Sequence, residues 1–128
     1  MRLMGIDFGS KRIGVALSDE SGTMAFPHAV VPTATAAADV LALVRAEGVG
    51  TIVVGLSANF KNKENPIMVP ARAFADEIAR ASGVPVVFEP EFLTSAEAAR
   101  VQGEGELSDA SAAALILNSY ILRRKNTR

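Results

Sequence analysis

The chain has no cysteine, and that absence removes disulfides, thiolate zinc sites and cysteine nucleophiles together. It fits a reducing compartment. Histidine occurs once, as His28, with no acid or second histidine at ligand spacing, so a zinc site would need oxygen ligands and this single ring. No apolar stretch approaches the ~20 residues needed to span a membrane. Met1 leads straight into a strand-like run instead of a basic and then a long apolar leader, so the cytoplasm is the expected location. Internal repeats, low-complexity tracts and linkers are missing too. With 128 residues the chain can bury one core without staples and is too short for a two-domain clamp, so one domain over residues 1–128 is expected.

A strong excess of either charge is also lacking, since the formal net charge is −1. A nucleic-acid binder normally shows a basic footprint. The average hides an asymmetry. Residues 123–128 form a basic tail with 4 of the 13 basic residues, leaving 9 basic against 14 acidic residues, or −5, in the rest of the chain. Net charge therefore neither supports nor excludes a polyanionic partner.

What is present is a carboxylate in an unusual place. Asp7 ends the apolar run Arg2-Leu3-Met4-Gly5-Ile6-Asp7-Phe8, ahead of the basic turn Gly9-Ser10-Lys11-Arg12 and a second apolar run, Ile13 to Leu17. Strands deplete aspartate, so this acid either costs stability or does chemistry. Alternation places Met4, Ile6 and Phe8 on one face and Leu3, Gly5 and Asp7 on the other, so both faces can be buried while Asp7 emerges at the strand's end.

Two further strands, residues 12–18 and 24–31, are joined by the turn Asp19-Glu20-Ser21-Gly22, which predicts an antiparallel meander. A helix is expected from Thr33 or Thr35 to Gly48, and Thr51 to Gly55 reads as a strand buried on both faces. A long loop covers residues 56–66. The spacing then predicts a helix over 67–82, a buried strand over 84–88, a short helix from the capping-box pattern Thr94-Ser95-Ala96-Glu97 toward Val101, and a last helix over 108–124. A meander passing into β-α-β crossovers gives a mixed sheet covered by helices, with a site at the carboxyl ends of the central strands.

Glu91 just past the last strand and Asp109 at the start of the last helix join Asp7 as acids of interest. In a sheet ordered 3-2-1-4-5 the three would converge, and converging carboxylates usually need a divalent cation. Taken singly, Asp7 could initiate a turn, Glu91 could be a solvated loop acid beside Glu89, and Asp109 could oppose a helix dipole. Lys11 and Arg12 sit close enough to Asp7 to contact phosphates, or are a solvated hairpin tip. Lys61 and Lys63 read first as exposed loop charges, with Phe60 able to stack on an unpaired base. Arg123, Arg124 and Lys125 make the tail an electrostatic patch or a solubilising end.

The segments Gly5-Ile6-Asp7-Phe8-Gly9-Ser10-Lys11-Arg12-Ile13-Gly14-Val15-Ala16, Glu91-Phe92-Leu93-Thr94-Ser95, and Asp109 with Ala113 and Ile116-Leu117-Asn118-Ser119-Tyr120 resemble, in that order, the bacterial RuvX/YqgF family of Holliday junction resolvases, also described as nucleases maturing the small-subunit ribosomal RNA precursor. The resemblance implies an α/β, ribonuclease H-like fold: a mixed five-stranded sheet, order 3-2-1-4-5, with helices on both faces. It implies that Asp7, Glu91 and Asp109 are catalytic and bind metal, with two Mg²⁺ or Mn²⁺ ions bridged by Asp7. The function implied is a metal-dependent endonuclease hydrolysing phosphodiester bonds of structured nucleic acid, whether branched DNA, a flap, a single strand or precursor rRNA. Symmetric cutting of a junction needs two active sites, hence a homodimer.

The chain departs from the family where Pro90 and Phe92 replace the aspartate and arginine usual on either side of the glutamate. Its loop at 56–66 is rich in lysine and asparagine instead of glycine, and Ala112 and Ala113 leave no acid one turn after Asp109. Two rival readings are a non-catalytic nucleic-acid-binding module and a phosphotransferase of the actin-like or sugar kinase type. The second rests on the Gly-x-Asp-x-Gly hairpin but would need a second domain to close around ATP.

Overall fold

The computed structural model describes residues 1–57, 63–90 and 109–126. Alternating side chains on β1 (Arg2–Asp7) divide it into two layers. Met4 and Ile6 point into a core shared with Ile13, Val15 and Leu17 of β2 (Arg12–Ser18) and Ile52 and Val54 of β4 (Val49–Leu56). That face is covered by α1 (Ala36–Glu47) through Val40 and Val44, and by α2 (Met68–Ser82) through Phe74, Ala75 and Ile78. Leu3, Ala16 and Val53 point the other way, onto Ala113, Ala114, Ile116, Leu117 and Ile121 of α3 (Asp109–Asn126). Burying each large aliphatic side chain contributes about 1.5–3 kcal/mol.

The strands form one sheet in the order β3-β2-β1-β4-β5, as expected, with β3 at Ala25–Pro32 and β5 at Val86–Pro90. β1, β2 and β3 pair antiparallel, while β1, β4 and β5 are parallel. Asp7 and the end of β5 therefore point to the same edge of the sheet. Among the described residues no helix is long and apolar enough to cross a membrane.

The layer beneath α3 is built from small residues. A Cβ on Gly5 would lie 2.7 Å from the Ala113 carbonyl oxygen and 2.9 Å from the Leu117 Cβ, and one on Gly14 would run into the Asp109 carbonyl. Glycine at these two positions lets helix and sheet backbones approach directly.

Several boundaries differ from expectation. β3 starts at Ala25 instead of residue 24 because the Asp19 carboxylate draws the Thr23 and Met24 N–H groups into the turn, at 2.8 and 3.1 Å. A 3₁₀ turn (Thr33–Thr35) precedes α1, and the Thr35 side chain makes no capping bond, its hydroxyl donating instead to Asp39. β5 begins at Val86 and runs on through Glu89 to Pro90, which pairs with Leu56; an edge strand tolerates proline. The last helix runs two residues past the expected end at 124, so Lys125 joins Arg123 and Arg124 in its last turn, where cations oppose the helix dipole. The helix expected near 94–101 lies outside the described residues.

The Asp19 turn leads to a pH prediction. Hydroxyl donors Thr23 and Ser21 and the Met24 and Thr23 amides hold the Asp19 carboxyl well below the ordinary aspartate range. A depressed folded-state pKa gives stability that is complete above the unfolded value near 4 and is lost as pH falls through the folded one. The melting-temperature gap between the native chain and Asp19→Asn should be widest near neutral pH and shrink progressively below about pH 4. Melting curves in a pH series check it; a gap that widens in acid contradicts it.

Candidate active site at the carboxyl ends of the central strands

Asp7 is the last residue of β1 and pairs across the antiparallel ladder with Gly14. Asp109 is the first residue of α3, and its backbone rests on that same Gly14. Two of the three acids singled out in the sequence thus flank one residue that has no side chain. Directly opposed residues have Cα atoms about 4.5–5.5 Å apart, which fixes the scale of this corner. Asp7 is half-buried.

The Asp109 carboxylate has a partner already. Arg12, first residue of β2, donates from Nε to Asp109 Oδ2 at 2.9 Å, with the guanidinium side chain 68% and the aspartate 35% exposed. The turn that carries Lys11 is pinned from β3's end: the Thr33 hydroxyl donates to the Gly9 carbonyl at 2.7 Å and the Thr33 amide to the Lys11 carbonyl at 3.0 Å. Lys11 is exposed on this anchored turn.

Glu91, Phe60 and Lys61 fall outside the described residues. In sequence Glu91 follows Pro90, the last residue of β5. Among the described residues no three His, Cys, Asp or Glu side chains are grouped to hold a metal ion. The loop after β4 is closed at its base, where the Asn65 amide donates to the Ser57 carbonyl at 2.9 Å and the Asn65 side chain to Ser57 Oγ at 2.7 Å. Arg72 holds Glu64 in a two-pronged ion pair that keeps the Glu64 carboxyl below its ordinary range, and it lies 4.7 Å over the Phe88 ring. Lys63 is exposed beside this anchor.

Sequence reasoning missed Glu89. It is 1% exposed and accepts from Ser119 Oγ at 2.9 Å and from Arg123 Nε at 3.0 Å and a terminal nitrogen at 2.5 Å. Ser119 and Arg123 are one turn apart on α3, so the helix grips the end of β5. The signal was the same as for Asp7: an acid inside an apolar run, Val86-Val87-Phe88-Glu89. Arg123 is consequently engaged within the protein, Arg124 lies 5.6 Å over the Tyr120 ring, and Lys125 is exposed. His28 lines an open depression of about 430 Å³ with Arg2, Asp19 and Glu47, at the opposite end of β1 from Asp7.

The family model described as "RuvX: Holliday junction resolvase" matches residues 1–123. A protein of Anaeromyxobacter sp. named "Putative pre-16S rRNA nuclease" is 43% identical, covering 94% of this chain and 96% of its own. One of the same name from Desulforudis audaxviator is 36% identical over 100% and 99%. Among solved structures, Thermus thermophilus RuvC in complex with a Holliday junction substrate superposes with a TM-score of 0.67 at 20% identity, covering 99% of this chain and 97% of that one. The fowlpox virus resolvase, with Holliday junction DNA, gives 0.52 at 15% identity, over 99% and 98%. These two structures establish the shared fold, which is the ribonuclease H-like sheet expected from the sequence.

Two outcomes follow from this packing. Gly14→Ala forces a methyl group into the Asp109 carbonyl and should destabilise the protein by about 3 kcal/mol in denaturant unfolding, the upper end of ordinary overpacking. Arg123→Met removes the cation paired with a buried carboxylate and should cost about 3 kcal/mol, whereas Glu89→Met together with Arg123→Met should recover most of that loss. A double variant no more stable than Arg123→Met would refute the unpaired-charge account.

Proposed function

The chain belongs to the RuvX family, and from that premise we propose that it is a divalent-metal-dependent endonuclease in which Asp7, Glu91 and Asp109 form the catalytic set. It is a nuclease, hydrolysing phosphodiester bonds in nucleic acid. The observation that carries the site assignment is the placement of Asp7 and Asp109 on either side of Gly14, at the sheet edge where β5 leads into Glu91.

The donor chemistry fits a hard divalent cation. Asp7 and Asp109 offer oxygen donors from either side of Gly14, and Arg12, the ion-pair partner of Asp109, is largely exposed. Asp7, Glu91 and Asp109 would hold Mg²⁺ or Mn²⁺. When bound, such a pair of ions supplies activation of the attacking water and neutralisation of charge on the leaving 3′-oxygen.

The chain's own residues do the rest. Lys11, on a turn anchored by Thr33, offers an ammonium group to the backbone beside the scissile phosphate. Lys63, beside the closed base of the β4 loop, is placed to contact a phosphate further along, with Phe60 and Lys61 in the same loop as stacking and charge contacts. No side-chain nucleophile is required. The chain has no cysteine, and its one histidine lies at the far end of the sheet. Products carrying a 5′-phosphate and a 3′-hydroxyl are expected.

The substrate is structured nucleic acid, met in the cytoplasm by a single domain. The names of the relatives and structural neighbours point to precursor 16S rRNA and to four-way DNA junctions. Symmetric cutting of the latter calls for two copies of the chain. The family match over residues 1–123 favours this reading over a phosphotransferase.

The test is a cleavage panel of junction, flap, single strand and precursor rRNA with Mg²⁺ and with Mn²⁺. Asp7→Asn, Glu91→Gln and Asp109→Asn should each lower the rate at least about 10²-fold, the scale on which single electrostatic groups act in a site. Their circular dichroism spectra should match the native chain, because ligand charge is removed and core volume is not. Full cleavage by Asp7→Asn would end the proposal, and unfolding of all three variants would assign the acids to structure.

A further inference from the structure

The Arg12–Asp109 pair links two groups that the nuclease reading gives opposite tasks: the carboxylate is to hold a cation, and the guanidinium is to meet a phosphate. Each occupies the other in the protein alone. Arg12 Nε donates to Asp109 Oδ2 at 2.9 Å. Backbone position cannot change much on either side, because Arg12 is paired with Pro32 in the sheet and the Asp109 backbone is pressed onto Gly14. The Arg12 side chain is 68% exposed and can swing away while both backbones stay.

We infer that Arg12 is a placeholder for the divalent cation at Asp109, and that cation binding displaces it and so turns it toward the nucleic-acid backbone. The inference rests on the reading of Asp109 as a metal ligand. A double positive charge at that carboxylate repels a guanidinium hydrogen-bonded to it. The opposing attraction is small, since an exposed ion pair shifts an equilibrium by a factor of only about two to five. A divalent cation therefore wins the competition, and the displaced guanidinium, with its five donors, is well suited to a phosphate. Metal loading and nucleic-acid binding then become coupled, each tightening the other by the same factor. Arg12 is on this account a positioning and capture residue, and a metal-free protein has its phosphate contact switched off.

The experiment combines calorimetric Mn²⁺ titration, nitrogen-15 NMR of the Arg12 Nε–H group, and binding of a fluorescent four-way DNA junction with and without Ca²⁺, which supports binding without turnover. Asp109→Asn, Arg12→Gln and Lys11→Gln are compared with the native chain. Expected is Mn²⁺ binding that Asp109→Asn weakens strongly and that Arg12→Gln tightens by about two- to fivefold. Mg²⁺ should move the Arg12 Nε–H resonance toward that seen in metal-free Asp109→Asn. Ca²⁺ should tighten junction binding more in the native chain than in Arg12→Gln. Lys11→Gln removes a charge from the same turn without touching Asp109; tightening of Mn²⁺ binding equal to that of Arg12→Gln would assign the effect to the general field and overturn the inference. So would unchanged or weaker Mn²⁺ binding in Arg12→Gln. Native Mn²⁺ binding that Asp109→Asn leaves intact would instead show that Asp109 is no ligand, a failure of the site assignment itself.

Discussion

The structure depends on the direct contact of α3 with β1 and β2. It is made where the chain places its smallest residues, Gly5 and Gly14 on the strands and Ala113 on the helix. Such a contact buries little apolar area for its length, and larger side chains further along, Leu117 and Ile121, contribute most of the hydrophobic stabilisation. What the close approach provides is position. The first residue of α3 is held against the cross-strand partner of Asp7, so the spacing of the Asp7 and Asp109 backbones is set by packing and not by a loop.

Ion pairs hold α3 near both ends, and their surroundings give them different roles. Near the carboxyl end, Glu89 is fully buried and among the described residues accepts from Ser119 and Arg123, so breaking that pair leaves a charge poorly solvated. At the amino end, Arg12 and Asp109 both reach solvent, and their separation costs little. One pair keeps the helix attached while the other can be exchanged. Asp109 could thus change partners, as the proposed metal site requires, without loosening the helix that carries it.

Much of this was readable from residue spacing. Period-two alternation in Leu3-Met4-Gly5-Ile6-Asp7 assigned both faces of β1 correctly. Strand order followed from the meander and the crossovers. Glu89 was not readable in the same way, because a buried carboxylate is tolerable only with a partner, and its partners stand 30 and 34 positions away. The same pair makes Arg123, which reads as part of a basic tail in the sequence, an ion-paired residue of a helix in the structure. Glu91, Phe60 and Lys61 lie in segments outside the described residues; the role of Glu91 rests on the family pattern, and those of Phe60 and Lys61 on residue type in a loop that departs from it.

Electrostatics near the site also depend on pairing more than on totals. Arginines 2, 12, 72, 80 and 123 each stand on a carboxylate, so much of the basic charge is committed within the fold. A net charge of −1 consequently overstates the cations available to a polyanion. Asp7 ends β1 and Asp109 opens α3 beside it, so carboxylates gather at the corner where hydrolysis is proposed to occur. On the proposed reading, divalent cations bound there would make the corner locally positive, and displacement of Arg12 would add a guanidinium to the same surface. Affinity for nucleic acid would then belong to the cation-loaded site, which reconciles an acidic composition with a nucleic-acid substrate.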